Sequence, residues 1–176
     1  MPEMSLNAAR ALMNHFEEAG IPVWIDGGWA VDALLGRQTR SHSDLDIALE
    51  VQYAEAARNI LERLGFAYVI DGDTKSWNFV MAHEDGRSVD FHLFVLDASG
   101  NGIYGPAEDN DIYPAQTLSG RGSLDGRPVR CLSPEGLIAF RAEYPHPPRD
   151  RDFQDVHTIC LHFSLPIPPK YRTDDD

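Results

Sequence analysis

The sequence has few cysteines, no long apolar run and little positive charge. Cys131 and Cys160 are the only cysteines among 176 residues, and neither belongs to a Cys-x-x-Cys pair. This excludes the common zinc and thiol-redox motifs. The chain also lacks a run of about eighteen apolar residues, and its first residues, MPEMSLNAAR, do not resemble a signal peptide. We therefore expect a cytoplasmic protein with reduced thiols and no membrane partner.

The shortage of basic residues limits the classes of partner. The chain has 28 acidic and 15 basic residues, for a formal charge of −13. Because nucleic-acid binding depends on neutralising phosphates with lysine and arginine, a general nucleic-acid binder is disfavoured. The negative field would instead attract divalent cations and amine-bearing small molecules, although acidity is also typical of a solvated surface.

The composition is that of one globular domain. With 43% hydrophobic and 24% charged residues, the chain can bury a core. We expect residues 1–132 to form the main body and residues 133–165 a short helical part of the same domain. The proline-rich residues 166–176 are predicted to be a frayed tail. The Gly- and Asp-rich segment 97–128 has little periodicity and is predicted to be a lid or binding loop.

Elsewhere, hydrophobic periodicity predicts alternating helices and strands. Helical spacing with terminal Ser or Gly signals predicts helices near residues 6–19, 29–35, 53–64, 134–140 and 150–162. Short apolar or alternating runs predict strands near residues 23–25, 44–49, 67–70, 77–82, 88–96 and 129–132. These elements predict an α/β fold, α+β in stricter terms, with a mixed, mainly antiparallel sheet and flanking helices.

Two aspartates share the polar face of one predicted strand. In Asp44-Leu45-Asp46 the alternation places both carboxylates on the same side, with Cα atoms about 6.6 Å apart. Asp90, on a later strand of the same pattern, is a third carboxylate that can face them. Three oxygen donors of this kind can hold divalent cations. The alternative is that all three belong to the solvated face of an antiparallel sheet.

A glycine turn precedes this strand by about sixteen residues. Gly27 and Gly28 follow a short strand and open a helix, which is where backbone N–H groups can approach phosphate oxygens. Such a turn can also serve tight packing alone, and it matches neither the dinucleotide nor the P-loop glycine pattern. The order of glycine turn, DxD strand and later aspartate is more specific than any of its parts.

With this order, the chain resembles the nucleotidyltransferase superfamily that shares the DNA polymerase beta-type fold. It is most similar to the small lincosamide nucleotidyltransferases of the LinA type, and related motifs occur in aminoglycoside 2''-adenylyltransferases. The resemblance spans about residues 20–160. Its motifs in this sequence are Asp26-Gly27-Gly28-Trp29, Val31-Asp32, Arg40-x-His42-x-Asp44-x-Asp46, Asp90-x-His92 and Asp152-x-x-Asp155.

The resemblance implies an enzyme that uses Mg2+ to transfer a nucleoside monophosphate, AMP from ATP, to a hydroxyl of a small acceptor. The acceptor class it implies is an amine-bearing lincosamide or aminoglycoside antibiotic. Asp44, Asp46 and Asp90 would be the catalytic metal ligands, with Asp90 also a candidate general base. The nucleotide-binding candidates are Gly27, Gly28 and Arg40.

Other interpretations stay open from sequence alone. The resemblance also implies a homodimer in which each subunit completes the other's site, because the C-terminal part is too short to close a substrate cleft as larger relatives do. The alternatives for function are an antitoxin-like nucleotidyltransferase that modifies a protein, and a non-catalytic nucleotide-binding module. For single residues, we expect Trp29 in the core, an ordinary hydrogen-bonding role for His42, and a surface ion pair between Arg151 and Asp155.

Overall fold

The structure is a computed structural model that describes residues 3–109 and 111–173 of the chain. The α-helices of these ranges are α1 (Leu6–Glu18), α2 (Gly27–Leu35), α3 (Ala54–Arg63), α4 (Pro134–Glu143) and α5 (Asp150–Phe163). None of the helices in these ranges is long and apolar enough to cross a membrane.

One large sheet and a separate hairpin make up the strands. The large sheet contains β1 (Trp24–Ile25), β2 (Asp44–Glu50), β3 (Phe66–Val69), β4 (Asn78–His83), β5 (Ser88–Leu96), β6 (Gly102–Tyr104) and β7 (Ile112–Tyr113). The hairpin pairs β8 (Arg121–Leu124) with β9 (Arg127–Arg130). Strand order is β1-β2-β5-β4-β3, and β6 joins β5 to β7. Only β2 and β5 are parallel among the described pairs, so the expected mixed, mainly antiparallel sheet is confirmed.

The predicted alternation of apolar and polar residues places the apolar side chains of the central strands on one face of the sheet. Leu45, Ile47 and Leu49 of β2 are fully buried, as are Val89 and Phe91 of β5. They share one hydrophobic core with the apolar stripes of α1 and α3. The aspartates between these residues therefore lie on the opposite face of the sheet, which positions the site described below.

Local signals explain where the first two helices begin and end. The Ser5 hydroxyl accepts from the backbone of Ala8 at the start of α1, and the Asp26 carboxylate accepts from Gly27 at the start of α2. Gly36 ends α2 in the left-handed conformation at φ 66°, where a side chain would be strained.

Residues 97–128, predicted to be a lid or binding loop, contain strands that the sequence did not predict. In the described part of this segment the chain forms β6, β7 and β8 and enters β9, and Tyr113, Thr117 and Leu118 are buried. The strands are two to four residues long, too short for a period to be visible in the sequence. The predicted strand at 129–132 begins two residues earlier, as β9.

The prediction of a frayed tail is wrong for the described residues after α5. Pro169–Tyr171 form a 3-10 turn, and Tyr171 is only 2% exposed. The Tyr171 hydroxyl donates to the backbone carbonyl of Arg141 at 3.0 Å, and the carbonyl of Tyr171 lies 2.6 Å from Nε2 of His157. One buried aromatic ring thus anchors a segment whose proline content indicated disorder. Residues 174–176 lie outside the described residues.

Candidate active site

Two carboxylates meet at one register position of the central sheet. Asp46 of β2 pairs in parallel register with Asp90 of β5. Ligand atoms of Asp46, Asp90 and His92 all lie within 4.8 Å of one another. Asp44 lies two residues earlier on the same face of β2, opposite Ser88, and is not part of this tight group. The structure therefore brings two of the three predicted acids together and places the third beside them.

Asp26 connects this cluster to the start of α2. Its backbone N–H donates to the carbonyl of Asp46 at 2.9 Å, which fixes the helix start against β2. Its carboxylate accepts from the backbone of Gly27 at 2.6 Å and lies 3.1 Å from Nδ1 of His92. The Tyr113 hydroxyl donates to the same carboxylate at 3.3 Å. From sequence alone neither Asp26 nor Tyr113 has an assigned role, although an Asp directly before Gly-Gly and a helix is a typical N-cap signal.

Burial makes the charges of the cluster depend strongly on one another. Burial, with Asp44, Asp26 and Asp90 nearby, raises the pKa of Asp46 to about 7 even though His92 opposes the shift. Burial disfavours the charged form of His92, but the hydrogen bond to Asp26 and the nearby carboxylate of Asp90 raise its pKa well above the usual value. Burial likewise works against the charge of Asp26, whose pKa is nevertheless lowered by His92. The geometry favours an imidazolium of His92 beside an ionised Asp26.

The carboxylates of this cluster fit a divalent cation. The Asp90 Oδ1 atom is buried and has no hydrogen-bond partner, with Nε2 of His92 at 3.8 Å, and Asp46 shares its side of the sheet. An unpartnered carboxylate oxygen beside a second carboxylate is costly unless a cation satisfies both. Hard oxygen donors are the ligands that Mg2+ prefers. His92 has no free lone pair when protonated, so Asp46 and Asp90 are the donors suited to this role.

Gly27 and Gly28 allow α2 to approach the acids and the segment before β2. A Cβ at Gly27 would lie 1.8 Å from Oδ2 of Asp46, and Gly27 has a positive φ of 60°. A Cβ at Gly28 would lie 2.4 Å from Nη2 of Arg40 and 2.6 Å from Nδ1 of His42. Protein side chains thus fill the Cβ position of Gly28, so close packing requires glycine there. Phosphate binding by the backbone of the Gly27–Gly28 turn stays a prediction.

Arg40 is committed to the C-terminal helices. Its Nε and Nη2 atoms donate to the two oxygens of Asp155 at 2.9 and 2.8 Å, a bidentate pair. Asp155 is only 2% exposed and also lies 3.5 Å from Arg141. The predicted surface pair between Arg151 and Asp155 is therefore wrong, because Asp155 faces the protein interior on α5. The predicted contact of Arg40 with a triphosphate stays a prediction, and in the structure this side chain is paired with Asp155.

Three further residues of the motifs contact one another in the protein interior: Trp29, Asp32 and His42. His42 is buried, with Nε2 2.5 Å from Oδ2 of Asp32, and its ring packs on Trp29 at 4.4 Å between centroids. The Asp32 Oδ1 atom accepts from both the backbone and the hydroxyl of Thr39. The ordinary role expected for His42 and the core position expected for Trp29 are confirmed.

Comparisons with known proteins agree with this architecture. The chain is 29% identical over 134 residues to a lincosamide resistance protein of Staphylococcus haemolyticus, covering 76% of this chain and 81% of that protein. It is 32% identical over 126 residues to a 2''-aminoglycoside nucleotidyltransferase of Escherichia coli, covering 69% of this chain. The match spans 64% of that relative, just under two thirds of its length.

Solved structures share the fold over nearly the whole chain. A lincomycin-bound lincosamide antibiotic adenylyltransferase, LnuA, superposes with a TM-score of 0.77 at 23% identity, covering 89% of this chain and 97% of the other. ANT(2'')-Ia in complex with adenylyl-2''-tobramycin gives a TM-score of 0.71 at 25% identity, covering 90% and 88%.

The family model described as aminoglycoside-2''-adenylyltransferase matches residues 8–159, which include every element from α2 to α4 and all the acids described above. The chain belongs to this family of nucleotidyltransferases.

Proposed function

We propose that the protein transfers a nucleoside monophosphate, AMP from ATP, to a hydroxyl group of a small antibiotic of the lincosamide or aminoglycoside class. The observation that carries the proposal is the Asp46–Asp90 pair, registered across the parallel strands, with a buried Asp90 oxygen that accepts no hydrogen bond. Family membership and the names of the relatives support the reaction and the acceptor class.

Mg2+ bound at Asp46, Asp90 and the neighbouring Asp44 would neutralise charge on the attacking and leaving oxygens of an in-line displacement. These carboxylates hold their positions because β2 and β5 are rigid central strands of the sheet. In this proposal Asp90 would accept the proton of the acceptor hydroxyl. His92 holds Asp26 at 3.1 Å and is the fixed positive charge beside the acids.

Binding of the polyphosphate would use groups on the α2 side of the acids. The start of α2 lies against Asp46, so its positive end is directed toward the acid cluster. Arg149, at the N-cap of α5, is 58% exposed and is held by Asp152 at 3.0 Å, within electrostatic range of Asp44. Arg40 and Arg149 are each paired with an aspartate and each lie within electrostatic range of Asp44, so the more exposed Arg149 joins Arg40 as a candidate for a phosphate contact.

The experiment is incubation of the protein with MgATP and either lincomycin or tobramycin, followed by mass spectrometry. We expect the mass of one acceptor to increase by one adenylyl group, with release of pyrophosphate. Omission of Mg2+ and the Asp90→Asn variant are the matched controls, and both should give no adduct. Absence of an adduct with both antibiotics, together with absence of pyrophosphate release, would contradict the proposal.

A further inference from the structure

Asn78 and Tyr104 form a side-chain pair on the same face of the sheet as the acids. Asn78 of β4 is the register partner of His92, and Tyr104 of β6 is the register partner of Phe94. Because directly opposed residues share a face, both lie on the side that carries Asp90. The Asn78 amide nitrogen donates to the Tyr104 hydroxyl at 2.7 Å, and the Tyr104 and His92 rings are 6.0 Å apart.

The pair has hydrogen-bonding groups that the protein does not use. Among the described residues, nothing accepts the hydrogen of the Tyr104 hydroxyl, and nothing donates to the side-chain carbonyl of Asn78. Both residues are half-buried. Tyr113 provides the contrast, since it is buried and its hydroxyl already donates to Asp26. A donor and an acceptor left free side by side in a partly buried site are typical of ligand recognition.

The position of the pair assigns it to the acceptor side of the reaction. In an in-line displacement the attacking oxygen and the leaving group lie on opposite sides of the phosphorus. The start of α2 and Asp44 are on the β2 side of Asp90, and that side suits the polyphosphate. The acceptor then approaches over β4, where half-buried Val80 is the register partner of Asp90.

The spacing fits one sugar ring. His92 follows Asp90 by two residues of β5, a distance of about 6.6 Å along the strand, and Asn78 is level with His92. A six-membered ring whose reacting hydroxyl lies at Asp90 would place its other hydroxyls near Asn78 and Tyr104, with its apolar edge on Val80. Sugar rings with several hydroxyls occur in both lincosamides and aminoglycosides.

We propose that Asn78 and Tyr104 form the subsite that recognises the hydroxyls of the acceptor's sugar ring and so determine acceptor specificity. This inference rests on the proposed function for the location of the reacting hydroxyl. The subsite contacts the acceptor and not the nucleotide, so its loss changes acceptor affinity while leaving nucleotide affinity intact.

The test compares the variants Tyr104→Phe and Asn78→Ala with two controls. Tyr68 lies on the opposite, core-facing side of the same sheet, where its ring packs on Phe79, and Asn59 is an exposed residue of α3, so Tyr68→Phe and Asn59→Ala are the controls. Calorimetry measures binding of lincomycin, tobramycin and MgATP separately to each folded variant, and circular dichroism checks folding. Loss of one neutral hydrogen bond should weaken antibiotic binding about three- to tenfold, with MgATP affinity unchanged.

The outcomes separate this inference from the proposed function. A wild-type protein that binds MgATP and modifies an antibiotic, with both subsite variants binding that antibiotic as tightly as the controls, would overturn the subsite alone. Equal losses of antibiotic and MgATP affinity would also overturn it, since they indicate a general role in shaping the site. If the wild type releases no pyrophosphate, the proposed function fails. The antibiotic titrations still test the subsite in that case, and the subsite is overturned if the wild type binds neither antibiotic.

Discussion

Asp46 is held in a position where its own charge is unfavourable. Burial and three nearby carboxylates disfavour its ionised form, so its folded-state pKa of about 7 exceeds the ordinary value of 3.8. The folded state therefore binds this proton more tightly than the unfolded state does. Stability contributed by Asp46 falls as pH rises from about 4 through 7, which is the sign for a raised carboxyl pKa. A bound cation would reverse this penalty.

From this pKa we predict that proton and metal compete for the same carboxylate. Going from pH 8 to pH 6 should weaken Mg2+ binding about tenfold, because the ionised fraction of a group with pKa near 7 falls by about that factor. Calorimetric titration of Mg2+ at several pH values measures this dependence. In Asp46→Asn the dependence should disappear along with most of the affinity, and Asp73→Asn, on an exposed turn, should behave as wild type. Equal Mg2+ affinity at pH 6 and pH 8 would count against the assignment.

The second residue-scale prediction concerns turnover. Asp46→Asn and Asp90→Asn each remove one negative donor without changing side-chain shape, so adenylyl transfer should fall by at least about a thousandfold. The melting temperature of Asp46→Asn at pH 8 should stay level or rise, because mutual repulsion among the acids is relieved, and Asp90→Asn should remain folded. Steady-state kinetics and thermal unfolding test both parts. Transfer within tenfold of the wild type in both variants would refute the metal-ligand roles.

At the scale of elements, the start of α2 depends on close packing that only glycine permits. We predict that Gly28→Ala displaces Arg40 and His42 and lowers the free energy of unfolding by about 1–3 kcal/mol, since the new Cβ would lie within 2.6 Å of both side chains. Gly72→Ala is the matched control, because nothing lies within 4 Å of its Cβ position. Chemical denaturation of both variants supplies the comparison. Equal stability of the two would show that the turn adapts and that packing is not its constraint.

The C-terminal helices are attached to the site by buried ion pairs. We predict that Asp155→Asn lowers the free energy of unfolding by about 3–5 kcal/mol, because it leaves the bidentate partner of Arg40 neutral in a site that is only 2% exposed. Glu62→Gln removes an exposed pair with Arg58 at 3.6 Å and should cost less than about 1 kcal/mol. Urea unfolding distinguishes the two, and a cost below 1 kcal/mol for Asp155→Asn would show that the buried pair does not hold α5.

The elements differ in how visible they are in the sequence, for physical reasons. Alternation along Asp44–Leu49 and 88–96 predicted both strands, and the parallel register then brought Asp46 to Asp90. Contacts between distant parts of the chain left no periodic signal. Arg40 and Asp155 are 115 residues apart, and Asp26 and His92 are 66 apart. Short β6 and β7 were missed for the related reason that pairing with neighbours, and not local pattern, stabilises them.

At the scale of the whole molecule, the net charge follows directly from the sequence, but it affects the site only through long-range attraction. The chain has a formal charge of −13, and the acids of the cluster are either paired with His92 or available to a cation. Long-range attraction therefore acts on the approach of a cationic acceptor, while Asp46 and Asp90 act at contact distance. The two effects can be separated, because salt screens the first far more than the second.

The last prediction uses this difference. Tobramycin carries several amines and lincomycin carries one, so a field from −13 charges should favour the first at low ionic strength. Between about 0.01 M and 0.15 M salt the screening length falls from about 30 to 8 Å. We therefore expect the Michaelis constant for tobramycin to rise steeply over this range and that for lincomycin to stay nearly flat, with MgATP held saturating. Steady-state kinetics across the salt series measure both constants. Parallel salt dependence for the two antibiotics would mean that the net charge serves solubility and does not contribute to recognition.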